Sequence, residues 1–176
     1  MIVGTPTYAV PSWLTASHPD VLATTRHGEG RYGARQIMDI THPTYLFHAE
    51  RVIRELMAHT AHRSGVIGFQ IDNETKYHET AGPAVQRRFV KYLRAEFGGD
   101  LDALNEAFGL DYWSNRVDAW EDFPDVRGTI NGSLGAEVDK FRRRLVEEFP
   151  GWQAGIVREY ARADQWVTQN CDFDGT

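Results

Sequence analysis

The stretch Val66-Ile-Gly-Phe-Gln-Ile-Asp-Asn-Glu-Thr75 joins a run of mostly apolar residues to four polar ones. A nearly continuous apolar run of this length is typical of a strand in a parallel sheet that is covered on both faces. The polar residues would then lie at the carboxyl end of the strand, where α/β sheets and barrels build their sites. The stretch therefore predicts a buried parallel strand that ends at a site.

Two further strands and several helices are predicted around this strand. The strands are an amino-terminal one within Met1–Thr7 and a last one around Val167. The helices run from Pro43 to about Ser64, from Pro83 to Phe97, from Leu101 to Phe108 with Asp100 as its N-cap, and from Leu134 to Ala163 with a break or kink at Pro150. This order favours an α/β fold with about three parallel strands and long helical crossovers.

Composition limits the classes of protein that this chain can represent. The 176 residues suit one domain, 41% of them are hydrophobic, and the net charge of −6 argues against binding to nucleic-acid backbones. No apolar run is long enough to cross a membrane. The single cysteine excludes a disulfide framework, and histidines such as His59 and His62 are interpreted as surface residues rather than metal ligands. We expect a cytoplasmic protein without metal or cofactor.

Both ends of the chain lie close to predicted strands. Met1 begins inside an apolar pattern, and the chain stops just after the last strand. We expect an internal segment of a longer protein, and the alternative is a complete domain with an edge strand at each end.

The side chains of Asp72, Asn73 and Glu74 can carry chemistry at the predicted strand end. A partly buried carboxyl group at such a place can donate a proton near neutral pH, and an amide can bind a substrate hydroxyl. The alternative is a helix N-cap, because aspartate and asparagine often cap the helix that follows a strand. Periodicity alone leaves both interpretations open.

Five stretches in order resemble glycoside hydrolase family 42, the bacterial β-galactosidases with a (β/α)8 barrel. The stretches are Gly4–Leu14, Gly33–Gln36 with Pro43-x-Tyr45, Ile67–Glu74, Leu104–Gly109 with Tyr112–Ser114, and Val167–Asn170. They resemble the family's third strand, an arginine-bearing loop, the fourth strand with its Asn-Glu pair, the excursion after it, and the fifth strand. The resemblance covers essentially all of residues 1–176. It implies a single segment from the centre of the catalytic barrel, from about the third to the fifth strand.

The resemblance also implies roles for individual residues. Glu74 would be the general acid/base, and Asn73 would bind the 2-hydroxyl of galactose. Arg35 would bind the sugar and hold the carboxylates of the site. Trp13 and Trp113, in loops after strand ends, are candidates for stacking on a sugar.

One catalytic group of the family has no match in this chain. A retaining glycosidase needs a nucleophilic carboxylate about 5–5.5 Å from the acid/base. In the family this residue lies beyond the fifth strand, and Asp72, Asp172 and Asp174 do not match it. We therefore expect no nucleophile in this chain, no activity from the chain alone, and a full-length enzyme that is a homo-oligomer, by resemblance a trimer. The alternatives are a non-catalytic remnant that binds carbohydrate or a partner, and a clan relative that acts on another sugar.

Overall fold

A computed structural model describes residues 1–25, 27–33, 37–75, 80–125, 127 and 131–171. The strands in the described residues are β1 (Ile2–Gly4), β2 (Thr24–Thr25), β3 (Gly28–Glu29), β4 (Gly68–Gln70) and β5 (Trp166–Thr168). The α-helices there are α1 (Ser12–Ser17), α2 (Pro43–Thr60), α3 (Pro83–Glu96), α4 (Leu101–Phe108) and α5 (Gly132–Tyr160). Two 3-10 turns, Pro19–Val21 and Trp120–Asp122, complete the set.

The three predicted strands form one parallel sheet in the order β1-β4-β5. Ile2 pairs with Gly68 on one side, and Gly68 pairs with Trp166 on the other. Parallel pairing requires a crossover between successive strands, and the two crossovers here are long because each carries helices. A separate antiparallel pair, β2 with β3, lies within the first crossover.

The helices cover one face of the sheet and form most of the core. The inward face of β4 presents Phe69, which is fully buried in a cluster with Ile53 of α2 and Val157 of α5. A larger cluster joins α2, α3, α4 and α5 through residues such as Phe89 and Leu145. At the surface Arg54 of α2 pairs with Glu159 of α5, with Nη1 and Oε2 2.5 Å apart. The core therefore fixes α2 and α5 against β4, the strand that leads to the predicted site.

The structure corrects several predicted boundaries. Helix α5 has no break at Pro150: it runs from Gly132 to Tyr160 with the proline inside it. Residues on both sides of the proline, including Leu145 and Val157, are buried in the core. Helix α1 and the β2–β3 pair are additional elements in a segment predicted as loop. Ile67, in the run predicted to be buried, lies just before β4 and is 53% exposed.

Gly68 allows a tryptophan to lie across the sheet. A Cβ atom at this position would approach the ring of Trp166 to 2.5 Å. Such an approach is far inside van der Waals contact, so the indole of β5 can cover β4 only where the side chain is absent.

No helix in the described part of the chain is long and apolar enough to span a membrane.

The exposed face of the sheet leads to a prediction about the isolated chain. Ile2 and Trp166 are exposed on the face opposite Phe69, and β1 and β5 each have one unpaired edge within the three-stranded sheet. Exposed apolar faces and free strand edges promote association. We expect residues 1–176 alone to aggregate or to form a molten globule in size-exclusion chromatography and near-UV circular dichroism. A monodisperse monomer with a sharp two-state thermal transition would contradict this.

Candidate active site

The backbone after β4 turns sharply and stays bonded to both neighbouring strand ends. The Thr5 N–H donates to the Gln70 carbonyl (2.9 Å), and the Glu74 N–H donates to the Asn170 carbonyl (3.0 Å). Within this turn Asp72 and Glu74 both have positive φ, 48° and 50°. For residues other than glycine this conformation costs of order 1–3 kcal/mol and persists only where the surroundings enforce it. The turn is therefore a strained segment held in place by its hydrogen bonds.

Asp72 points into the protein. Its side chain is 2% exposed, and its Oδ1 accepts a hydrogen bond from the Thr7 hydroxyl at 2.9 Å. Its Oδ2 accepts from the Thr75 hydroxyl, and its N–H donates to Thr5 Oγ1 at 2.7 Å. A carboxylate in this position is engaged by the protein on both oxygens.

Asn73 and Glu74 lie together at the carboxyl end of β4 and are half-buried. The exposed Asn170, two residues after β5, presents its Nδ2 3.3 Å from Asn73 Oδ1 and 3.4 Å from Glu74 Oε1. The amide can donate to either oxygen, and it brings the two side chains to one surface. This surface offers a carboxyl group beside two amides, which suits proton transfer and the binding of hydroxyl groups.

The described residues do not support the N-cap interpretation of this segment. In the described residues the next helix is α3, which begins at Pro83 with Gly82 as its N-cap and no side-chain cap bond. Asp72 and Asn73 therefore do not cap it.

The other predicted site residues are not joined to this surface by the described contacts. Trp13, on α1, is 51% exposed, and its ring meets His48 edge to face with centroids 5.0 Å apart. Trp113 is 82% exposed and its ring contacts Tyr112. Arg35 lies outside the described residues, as do Asp172 and Asp174.

Sequence reasoning missed the residues that support the turn. The sequence pattern places Asn170 only in the fifth strand and indicates no role for the threonines of Gly4–Leu14. The Tyr45 hydroxyl donates to the Thr7 carbonyl at 2.5 Å. Burial, and then the charge of Asp72, raise the pKa of Tyr45 well above its ordinary value, so this donor keeps its proton. The usable signal was two threonines at alternate positions just after a strand.

Within the described ranges, no group of three or more histidine, cysteine, aspartate or glutamate side chains could hold a metal ion.

Comparison with known proteins places this chain in a family. The profile of glycoside hydrolase family 42, described as β-galactosidase, matches residues 1–174. A β-galactosidase of Thermus thermophilus is 32% identical over 97% of this chain and 27% of its own length.

Solved structures give the same result for the fold. The β-galactosidase of the psychrophilic Marinomonas ef1 has a TM-score of 0.88 at 26% identity, over 97% of this chain and 27% of that one. The β-galactosidase of the Antarctic haloarchaeon Halorubrum lacusprofundi has a TM-score of 0.87 at 27% identity, over 97% of this chain and 26% of that one.

These matches confirm the predicted α/β fold as part of a (β/α)8 barrel. The chain spans about a quarter of the length of the relatives it matches. With a profile match that covers nearly its whole length, the chain belongs to glycoside hydrolase family 42, the family of the β-galactosidases.

Proposed function

We propose that residues 1–176 form about the third to fifth strands of a retaining glycosidase that cleaves terminal β-D-galactosides. The observation that carries the proposal is the position of Asn73 and Glu74 at the carboxyl end of the central parallel strand, beside Asn170. In barrels of this kind, side chains at the carboxyl ends of strands carry the chemistry. Membership of a β-galactosidase family supports galactosides as the substrate class.

Glu74 is the general acid/base in this proposal. Its carboxyl group protonates the glycosidic oxygen as the bond to the anomeric carbon breaks, and a nucleophilic carboxylate from outside this chain bonds to that carbon. The Glu74 carboxylate then removes a proton from water, which attacks the anomeric carbon and releases the nucleophile. Two displacements give net retention of configuration.

The neighbouring residues orient the sugar and the acid. Asn73 binds the 2-hydroxyl, a contact that strengthens in the transition state. Asn170 lies within hydrogen-bond reach of Glu74 Oε1 and so restricts the direction of the carboxyl group. Arg35 is proposed to bind the sugar, with Trp13 and Trp113 as stacking candidates. The full-length protein is proposed to be a homo-oligomer, a trimer by resemblance, that acts on galactosides such as lactose in the cytoplasm.

The test compares the protein encoded by the complete reading frame with residues 1–176 alone. We expect the full-length protein to hydrolyse nitrophenyl β-D-galactoside, with NMR showing β-galactose as the first product. We expect no turnover from the 176-residue chain, because one carboxylate cannot both form and release a glycosyl-enzyme.

Two outcomes would contradict this. A full-length protein that binds galactosides without cleaving them would support the carbohydrate-binding alternative. Turnover by the chain alone that is lost in Asp172→Ala or Asp174→Ala would make that aspartate the nucleophile.

A further inference from the structure

We propose that Asp72 is a positioning residue for Glu74: its buried carboxylate ties the turn that carries Glu74 to the end of β1. This inference rests on the proposed acid/base role of Glu74. Asp72 does not touch the substrate, because it is almost fully buried and both of its oxygens are engaged within the protein.

The Asp72 carboxylate brings three strand ends together. Oδ1 accepts from Thr7, in the segment after β1, and Oδ2 accepts from Thr75, in the segment after β4. The Thr75 oxygen in turn accepts from Gln169 Nε2 at 3.0 Å, in the segment after β5. Glu74 lies between Asp72 and Thr75, so one carboxylate holds the turn from both sides of the acid.

The backbone of the turn explains why this support matters. Asp72 and Glu74 both occupy the left-handed region, which residues with a side chain rarely adopt. Loss of the Asp72 bonds would favour relaxation toward ordinary φ values, which rotates the Glu74 side chain. A displacement of about 1 Å in a group that must meet the reacting atom can cost about 10²-fold in rate.

The Thr7 hydroxyl connects Asp72 to helix α5. Its oxygen lies 2.9 Å from both Asp72 Oδ1 and Gln153 Oε1, and it can donate its one proton to either of them.

Gln153, on α5, is fully buried and accepts at Oε1 from the hydroxyls of Thr5 and Thr7, at 2.7 and 2.9 Å. The Thr5 oxygen in turn accepts from the Asp72 N–H at 2.7 Å. The network thus extends from helix α5 to the acid/base turn.

The test is Asp72→Asn in the full-length protein, with Glu74→Gln as reference. An asparagine must present its Nδ2 to one of the two threonine hydroxyls, so one of the two bonds changes direction. We expect kcat/KM for lactose, which has a poor leaving group, to fall about 10–100-fold, within the contribution of general acid catalysis. The value for dinitrophenyl β-D-galactoside, which needs little protonation, should fall less than about 3-fold.

A matched control separates this effect from loss of stability. Asp39 is also buried, and its carboxylate accepts from the N–H and hydroxyl of Thr41 at 2.8 and 2.6 Å. Asp39→Asn should lower the melting temperature and reduce activity toward both substrates by the same factor.

A second pair of variants covers the case in which Asp72→Asn does not fold. Thr7→Val removes the hydroxyl that donates a hydrogen bond to Asp72, whereas Thr7→Ser keeps it. We expect the selective loss with lactose in Thr7→Val and its recovery in Thr7→Ser.

The outcomes of these experiments are distinguishable. Equal losses for both substrates in Asp72→Asn and Thr7→Val, with selective loss in Glu74→Gln, would overturn this inference alone. Absence of selective loss in Glu74→Gln would overturn the acid/base role and this inference with it.

Discussion

Replacing Glu74 by glutamine in the full-length protein is expected to reduce the hydrolysis of lactose by about 10²–10⁴-fold, the usual contribution of general acid catalysis. The amide keeps the size of the side chain and can still meet Asn170, but it has no acidic proton to transfer to the leaving oxygen. An activated aryl group departs with little assistance, so kcat/KM for a dinitrophenyl galactoside should change far less. Steady-state kinetics with both substrates measures the difference.

Hydrolysis of the glycosyl-enzyme, the second half of the reaction, provides an independent test of the acid/base role of Glu74. Without a base to activate water, the glycosyl-enzyme should accumulate with activated substrates. Azide needs no deprotonation, so it should attack the anomeric carbon, displace the nucleophile and yield β-galactosyl azide. The exposed Glu55 of α2 offers a control, since Glu55→Gln should behave like the wild type. Equal losses for good and poor leaving groups, without the azide product, would remove Glu74 from the acid/base role.

Replacing Asn73 by alanine is expected to reduce kcat/KM about 10²-fold for good and poor leaving groups alike. The asparagine is proposed to bind the 2-hydroxyl through the transition state, and one such contact is worth about 3 kcal/mol. The contact involves the sugar that is retained in the glycosyl-enzyme, so the leaving group does not alter the loss.

A substrate without the 2-hydroxyl isolates this contact. With a 2-deoxygalactoside, Asn73→Ala should cause almost no further loss of kcat/KM. A thermodynamic cycle measures this, by comparing wild type and variant on substrates with and without the 2-hydroxyl. Asn115, whose amide donates to the Tyr112 carbonyl in the excursion after α4, supplies a matched control. An undiminished effect of Asn73→Ala on the 2-deoxy substrate would contradict the assigned contact.

Elements with complete local signals were predictable from the sequence. Helix α4 begins and ends where it was predicted, at Leu101 and Phe108. Asp100 caps it by accepting from the Ala103 N–H at 3.0 Å, and Gly109 ends it with a φ of 62°. These signals lie within a turn of the helix ends, so no distant contact is needed to interpret them.

Features that depend on distant contacts could not be predicted. The continuity of α5 through Pro150 depends on buried residues on both sides of it, which compensate for the missing N–H. The packing of Trp166 over Gly68 depends on the register of two strands that are far apart in the chain.

The candidate site likewise combines features that the local sequence predicts with features that depend on distant contacts. A buried run that ends in polar residues was enough to place Asn73 and Glu74 at a strand end. The inward direction of Asp72 follows from positive φ angles at an aspartate and a glutamate, where no glycine signals them. The support from Thr7 and Gln153 comes from the first and the second long crossover of the sheet, both far from Asp72 in the sequence.

The strand order β1-β4-β5 also has a consequence for the way the chain folds. The paired residues of β1 and β4 are about 65 positions apart in the sequence, and those of β4 and β5 are about 100 apart. Each pairing must close a long loop before its hydrogen bonds compensate for the lost chain entropy, and such non-local contacts slow folding. Helices α2 and α5 form from local contacts and can assemble ahead of the sheet. The central strand acquires both partners only when both crossovers are ordered. The carboxyl end of the sheet, which carries Glu74, therefore forms late in folding.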